Sequence, residues 1–393
     1  MGLFSKKASR SGGGAPAAPP PPPPPPVPVH QTPASTVLAT SQPALPQVPR
    51  GTIGIGIETE FKLRYRDTKR VNSSFRTFAR SMAFEHNQAV QATIPRMESL
   101  VQNLVDGPPH MSWKLVHDPT CETYASPWGI EMVSPIFRLT RGSGWRTAIQ
   151  ATWKFIQTNY VVMADTTCST HVHMSIAENY SASQLKRLAQ AIIYFEPAFE
   201  ALLPSDRRGN EYARSNWIDN HHFGYKRLSR ADSIALLERC YTIDEVINLM
   251  NPEGSRYFGW NFQAIKKYKT VEFRRGAAST SVDDVFLWVE VATSFLRASL
   301  KMTSADSLRG FAPNMGGFRS FLAQGINDIP GIGDSRYLQR LFAGRKPDER
   351  LEPKPVGKLS PEKRKKLEKK IYLDSRSNPM LDNMGVAQSS GII

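Results

Sequence analysis

The sequence predicts an α+β domain: a curved, mostly antiparallel sheet with helices packed on its outer face. Three observations point there. Strand-like and helical stretches alternate from about Gly51 to about Gly344. The strand-like stretches alternate apolar with polar side chains, as antiparallel strands covered on one face do. The helical stretches confine their apolar residues to one stripe, which must lie against something. No internal repeat interrupts the pattern.

Taken in order, Ile53–Phe61 reads as a strand with Ile53, Ile55, Ile57, Thr59 and Phe61 on one face. Ser73–Leu104 mixes polar and apolar residues and predicts a helix broken at Pro95. Trp113–His117 reads as a strand, Asp118-Pro119-Thr120 as a turn and Gly129–Ile136 as another strand. Gly144–Tyr160 is a helix with Trp145, Ile149, Trp153 and Ile156 along one stripe. Two strands flank the loop Ala164–Ser169, the second being His171–Ser175. Ser181-Ala182-Ser183-Gln184 has the spacing of a capping box and opens the strongest helix, through Ala191, Ile192, Phe195 and Phe199, with Pro197 as a bend point. Thr242-Ile243-Asp244-Glu245 caps a shorter helix. Tyr257–Phe262 and Lys269–Arg275 read as an antiparallel pair turning at Lys266-Lys267. Ser281-Val282-Asp283-Asp284 caps a long helix that buries Val285, Trp288, Ala292, Phe295 and Leu296.

Four of the strand segments share an unusual habit. Because side chains alternate, Glu58 and Glu60 point the same way, as do His171 and His173, and Glu272 and Arg274. Glu131 sits in the apolar segment Gly129-Ile130-Glu131-Met132-Val133-Ser134, where an unpaired carboxylate is costly to bury. Each segment alone has a bland reading. Glu58 and Glu60 suit a half-exposed strand, and the two histidines suit a zinc pair, a catalytic pair or a wetted face. Recurrence in four segments favours one polar face that handles divalent metal and phosphate.

The chain has 393 residues, 40% of them hydrophobic, and a formal charge of +15. Residues 1–50 contain Gly12-Gly13-Gly14 and an unbroken proline run from Pro19 to Pro26, and they predict a disordered region. Such a run is what SH3- or WW-type domains bind, although a spacer is the commoner use. Residues 51–344 are the expected catalytic domain. Residues 345–393 are the expected disordered basic tail, with Lys363-Arg364-Lys365-Lys366 and Lys369-Lys370 suited to nucleic acid, an anionic surface or plain solvation. Ser360-Pro361-Glu362-Lys363 is a start signal for a short solvated helix there. Cys121, Cys168 and Cys240 are too few and scattered for a disulfide framework or a zinc ribbon. No signal peptide or membrane-spanning run is visible, and Met1-Gly2-Leu3-Phe4-Ser5-Lys6 departs from the myristoylation pattern at Lys6. The expectation is a soluble intracellular protein, cytoplasmic or nuclear.

Carboxylates that outnumber imidazoles suit Mg²⁺ or Mn²⁺ better than zinc. A multi-metal carboxylate face fits phosphoryl transfer from ATP, with Arg274 beside Glu272 to stabilise developing charge. There is no Walker motif and no kinase signature, so an ATP site here belongs to another architecture.

The motifs G-I-G-I-E-T-E-F, H-D-P-T with G-I-E-M-V-S-P, T-H-V-H-M-S and T-V-E-F-R-R occur in that order. They resemble the amidoligases of the glutamine synthetase and glutamate–cysteine ligase (carboxylate–amine ligase) superfamily, as does the stretch Leu203–Tyr212. The resemblance spans about Gly54 to Arg275. It implies an antiparallel half-barrel cupping ATP and metals. It implies Glu58, Glu60, Asp118, Glu131, His171 and Glu272 as metal ligands, and Arg274 as the contact to nucleotide phosphates or an acyl phosphate. His173 shares the face of His171 and is expected in catalysis with Arg274 and Glu272. Arg208, Asn210 and Asn261 are expected to bind phosphate or a substrate carboxylate.

The implied reaction joins a carboxylate to an amine, either of which is free or part of a peptide or protein. Attack of the carboxylate on the γ-phosphate creates an acyl phosphate, whose phosphate then leaves as the amine attacks. The loops Arg207–Asn220 and Gly316–Gly333 are the expected substrate readers. Three rivals remain at this point: a guanidino-type kinase, a metal-dependent hydrolase built on His171 and His173, and a non-catalytic nucleotide-binding interaction protein.

Overall fold

β1 (Ile53–Tyr65) is the spine of the fold. The computed structural model of the chain describes residues 48–99, 110–118, 120–121, 123–329, 332 and 336–375. The proline run and the myristoylation-like start lie outside the described residues. After β1 come α1 (Phe75–Ala89), β2 (Met97–Ser99), β3 (Trp113–Val116), β4 (Trp128–Val133) and β5 (Phe137–Arg138). Then follow α2 (Trp145–Asn159), β6 (Tyr160–Met163), β7 (Ser169–Ile176) and α3 (Ala182–Leu202). A long loop leads to α4 (Arg230–Glu238) and α5 (Ile243–Met250), and then β8 (Trp260–Asn261), α6 (Ala264–Tyr268) and β9 (Val271–Ala277). The described residues close with α7 (Val282–Lys301), α8 (Met315–Ile326), α9 (Arg336–Phe342) and α10 (Pro361–Ser375).

The strands form one nine-stranded sheet in the order β2-β3-β4-β1-β7-β9-β8, with β5 and β6 also paired to β1. Only β2–β3 is parallel among these pairings. The fold is therefore α+β with a mostly antiparallel open sheet. β1 can serve four partners because it is long: β7 pairs with its first half and β6 with its last four residues, while β5 and β4 share the opposite edge.

One face of the sheet is the core. Ile53, Ile55, Ile57, Phe61 and Leu63 of β1 are buried there, with Val172, Met174 and Ile176 of β7 and Val271 and Phe273 of β9. Phe61 meets Trp153 of α2 edge-on at 5.6 Å, and Phe273 meets Phe199 of α3 and Trp288 of α7 at 5.9 and 6.0 Å. Each such side chain removed from water contributes roughly 1.5–3 kcal/mol, so helix packing fixes the plane from which the opposite face projects. The α3 and α7 starts are both complete capping boxes, Ser181 with Gln184 and Ser281 with Asp284.

Three local expectations differ from the structure. The expected helix over Ser73–Leu104 stops at Ala89, before Pro95, and the chain then enters β2. Asn87 explains the change of direction: its side chain bonds both the N–H and the carbonyl of Met97, pinning the new strand against the helix end. The expected hairpin before β9 keeps only two paired residues in β8, and Lys266-Lys267 lie in the short helix α6 rather than in a turn. Finally, residues 345–375 were expected to be disordered, yet they lie along the domain. Leu351 N–H donates to Pro197 O at 3.0 Å, and Val356 N–H to Asp219 Oδ1 at 3.1 Å. Lys363 and Lys370 of α10 meet Glu211 and Asp118 on the domain, which the charge run alone did not disclose. No helix among the described residues is long and apolar enough to cross a membrane.

Candidate active site on the carboxylate face

Strand register assembles the site. Opposite residues in paired strands project to the same side, and here Glu60 faces Glu131, Glu58 faces His171, and His173 faces Glu272. Glu272 in turn faces Asn261 of β8. Gly56 lies opposite His173, so no side chain from β1 crowds that imidazole. The result is a buried row running from β4 to β8 on the face opposite the one packed by α2, α3 and α7. Asp118 joins it from the turn after β3, held by the backbone N–H of Thr120 at 2.6 Å.

The centre of the row is tightly connected. His171 Nδ1 is 3.1 Å from Glu58 Oε2, and its Nε2 is 2.8 Å from the Ser169 hydroxyl. Ser169 donates to Glu60 Oε2 at 2.6 Å. Asn261 Nδ2 donates to Glu272 Oε2 at 2.6 Å, while the Arg274 guanidinium bonds the other oxygen of Glu272. Arg274 Nε also donates to Tyr212 O at 3.2 Å, which fixes its plane. His173 differs from His171. Its Nδ1 has Thr270 Oγ1 at 3.1 Å, but its buried Nε2 meets no partner in hydrogen-bonding geometry. That atom lies 3.2 Å from Glu58 Oε1 and 3.7 Å from Glu272 Oε1.

Glu58, His173 and Glu272 are therefore the trio whose ligand atoms lie within 4.8 Å of one another. Two carboxylates and an orphaned imidazole nitrogen fit a divalent ion that prefers oxygen but tolerates nitrogen. The resemblance placed His171 among the ligands and His173 in catalysis. The structure brings His173 into the trio, while both ring nitrogens of His171 are already engaged.

Burial and neighbours split the charges. Burial pushes the Glu58 carboxyl up, but His173 and His171 outweigh it and hold it well below the usual range. Burial likewise opposes ionisation of Glu272, and Arg274, His173 and Arg256 bring it down to about 2. Burial and Arg274 lower His171 to about 4, whereas Glu272 and Glu58 overcome burial to raise His173. At the other end, burial and the Asp118 charge lift Glu60 to about 7, and burial with Glu58 and Asp118 lifts Glu131 well above its usual value. Asp118 resists burial because Lys370 of α10 bonds its Oδ2, which leaves it at about 2.

A cavity of about 530 Å³ opens beside Glu60, Ser169, His171 and Arg274. Arg207, Arg208 and Asn210 line it, together with Lys354, Lys363 and Lys366 of the C-terminal segment. Arg208 Nε donates to Leu203 O at 3.0 Å, which orients the loop that carries it. A second cavity of about 570 Å³ lies beside Arg256, Tyr257 and Asn261.

A model of the family described as "Putative amidoligase enzyme" matches residues 52–296 of the chain. The chain belongs to this amidoligase family. No curated protein matches the amidoligase chain. Among solved structures it is similar to one described as "Crystal structure of novel glutamine synthase homolog", at 12% identity over 76% of this chain and 69% of that one, with a TM-score of 0.33. The matched span contains every candidate residue named above except those of the C-terminal segment.

Sequence reasoning missed several members of this amidoligase face. Ser169 was within reach, since it continues the period of two that joins His171 and His173. Thr270 was within reach too, since it continues the period of Glu272 and Arg274, whereas Arg256 and the Tyr212 carbonyl approach from loops. Lys370 arrives from a helix 252 positions beyond Asp118 and had no local signal at all.

Proposed function

We propose that this amidoligase is an ATP-dependent carboxylate–amine ligase, forming an amide or isopeptide bond through an acyl phosphate. The observation that supports it best is the Nε2 of His173 set between the carboxylates of Glu58 and Glu272, poorly aligned for a hydrogen bond with either. A buried polar atom without a well-aligned partner is costly, and a divalent cation held by these three residues would complete it. Mg²⁺ or Mn²⁺ bound there would neutralise charge on the nucleotide phosphates. Glu60, Asp118, Glu131 and His171 are the further ligand candidates along the same face.

The remaining chemistry falls to the chain's own side chains. Arg274, fixed by Glu272 and Tyr212, would stabilise negative charge on the transferring phosphoryl group. Arg207, Arg208 and Asn210 would hold phosphate oxygens or a substrate carboxylate at the cavity wall. Asn261 would keep Glu272 oriented, since it already donates to it. In the balanced reaction one carboxylate oxygen leaves on phosphate. The acceptor ammonium loses two protons, one retained by hydrogen phosphate and one released.

The test is ATP turnover with Mg²⁺ over a panel of amino acids, polyamines and peptides, comparing the wild-type protein with Glu58→Gln and Glu272→Gln. The expected result is amine-dependent phosphate release and a product lighter than its two substrates by one water, lost in both variants. Phosphate transferred to a substrate without condensation would instead establish a kinase. Absence of ATP binding would overturn the reading.

A further inference from the structure

We propose that α10 occupies the acceptor-amine subsite in cis: Lys370 stands where a primary alkylammonium of the lysyl side-chain class binds, and an acceptor displaces the helix. This rests on the ligase reading for its meaning but not for its test.

The contact itself is specific. Lys370 Nζ bonds Asp118 Oδ2, and its side chain is 15% exposed, against 58% for Lys363 on the same helix. Asp118, Glu60 and Glu131 surround one end of the carboxylate face, and Lys370 is the alkylammonium that enters it. The metal-like trio lies at the other end, on Glu58, His173 and Glu272. The inner trio thus suits a divalent ion, while the outer carboxylates, ligand candidates by resemblance, hold an ammonium in this structure. A ligase needs such an arrangement, because the amine must lie beside the activated carboxyl group.

The way α10 is attached argues for exchange. Among its side chains with a described burial, none is buried. Its anchors are polar. Asp374 accepts from the Tyr257 hydroxyl at 2.8 Å and pairs with Arg256 at 3.3 Å, and Lys363 reaches Glu211 at 3.2 Å. Lys363 is the exposed member of these pairs, whereas Asp374–Arg256 and Lys370–Asp118 are largely buried, so an incoming ammonium must replace Lys370 on Asp118 rather than leave that carboxylate bare. α10 also stands between the two cavities: Lys363, Lys366 and Lys370 line one, and Leu367, Ile371 and Asp374 line the other. Its departure would join them into a groove leading to the carboxylates.

Hydrogen–deuterium exchange of the full chain tests the proposal without requiring turnover. The probes are cadaverine and Nα-acetyl-lysine methylamide, with 1-pentanol and matched sodium chloride as controls. Both amines are expected to increase exchange in α10 saturably, and the controls are not. In a turnover assay Lys370→Ala is expected to lower the acceptor KM with the ATP KM unchanged. An occupant that closes the subsite nine-tenths of the time weakens apparent affinity about tenfold, so the drop should approach that factor. Asp374→Asn, which loosens the helix without touching the carboxylates, should act in the same direction. Unchanged exchange with saturating amines, or release by Mg²⁺ alone, would overturn the proposal even if the ligase is active. Amine-driven release in a protein with no ligase activity would uphold the alkylammonium site and overturn the ligase reading instead.

Discussion

His173 Nε2 stands 3.2 Å from Glu58 Oε1 and 3.7 Å from Glu272 Oε1, poorly aligned for a hydrogen bond with either. While protonated, this imidazole pairs with the two carboxylates that raise it; deprotonated, the same nitrogen and carboxylates are placed to share a divalent ion. The expected outcome is that Mn²⁺ or Mg²⁺ raises the melting temperature of the wild-type protein. At a hundred times Kd the stabilisation is about 2.7 kcal/mol. Glu272→Gln and His173→Ala should each abolish most of that rise, which differential scanning fluorimetry would read. A rise retained in both variants would place the ion elsewhere.

A second buried carboxylate gives a pH signature away from this trio. Burial lifts Glu196 of α3 to about 7, with Arg275 pulling the other way. Its ordinary value is 4.5, so between about pH 4.5 and 7 the folded chain binds a proton that the unfolded chain has lost. Stability contributed by this group therefore falls as pH rises through that window, and the penalty is full above it. The loss is up to about 3 kcal/mol. Glu196→Gln should flatten that part of the urea midpoint-versus-pH curve and stabilise the protein at pH 8. A wild-type curve that rises through the window, or a variant curve of unchanged slope, would contradict this assignment.

What was legible in the sequence follows from the period of the strands. Glu58, Glu60, His171, His173 and Glu272 could be put on common faces because alternation is a local property. That the strands pair in one sheet is a non-local fact, supplied by order and resemblance rather than by any single segment. The same limit hid the Asn87 contacts that turn the chain into β2, and the Lys370–Asp118 bond. The basic run of α10 looked like a solvated tail because the partners of Lys363 and Lys370, Glu211 and Asp118, lie far away in sequence.

Gly276 tests whether strand register positions the site. It pairs with Thr170 across β7 and β9, beside the register shift between Thr170 and Val172. A Cβ there would lie 2.4 Å from the Thr170 carbonyl oxygen and 3.2 Å from Trp288 Cγ. Backbone cannot yield as a side-chain tip can, so Gly276→Ala must push the two strands apart. A destabilisation of about 1–3 kcal/mol is expected, as for other overpacked sites. Ligase activity should fall further than stability alone explains, because His171 and Arg274 flank the distortion. Full activity in a folded Gly276→Ala protein would show that the register there is not critical.

Arg274 and Arg275 are adjacent yet serve opposite faces, and their variants should separate function from folding. Arg275 reaches across the core side to α3, bonding Glu200 and lying 3.4 Å from Glu196. Arg275→Met would leave at least one buried carboxylate uncompensated, a loss of about 3–5 kcal/mol. Arg274 faces the cavity and keeps Glu272 company with Arg256 and Asn261. Arg274→Ala still leaves Glu272 two partners, so its unfolding midpoint should move much less. Its turnover should fall by about 10²–10³, the usual effect of removing one preorganised charge-stabilising donor. Urea denaturation and coupled phosphate release, measured on both variants, would show this crossing. If Arg274→Ala were the less stable protein and Arg275→Met the less active one, the assignment of the two faces would be reversed.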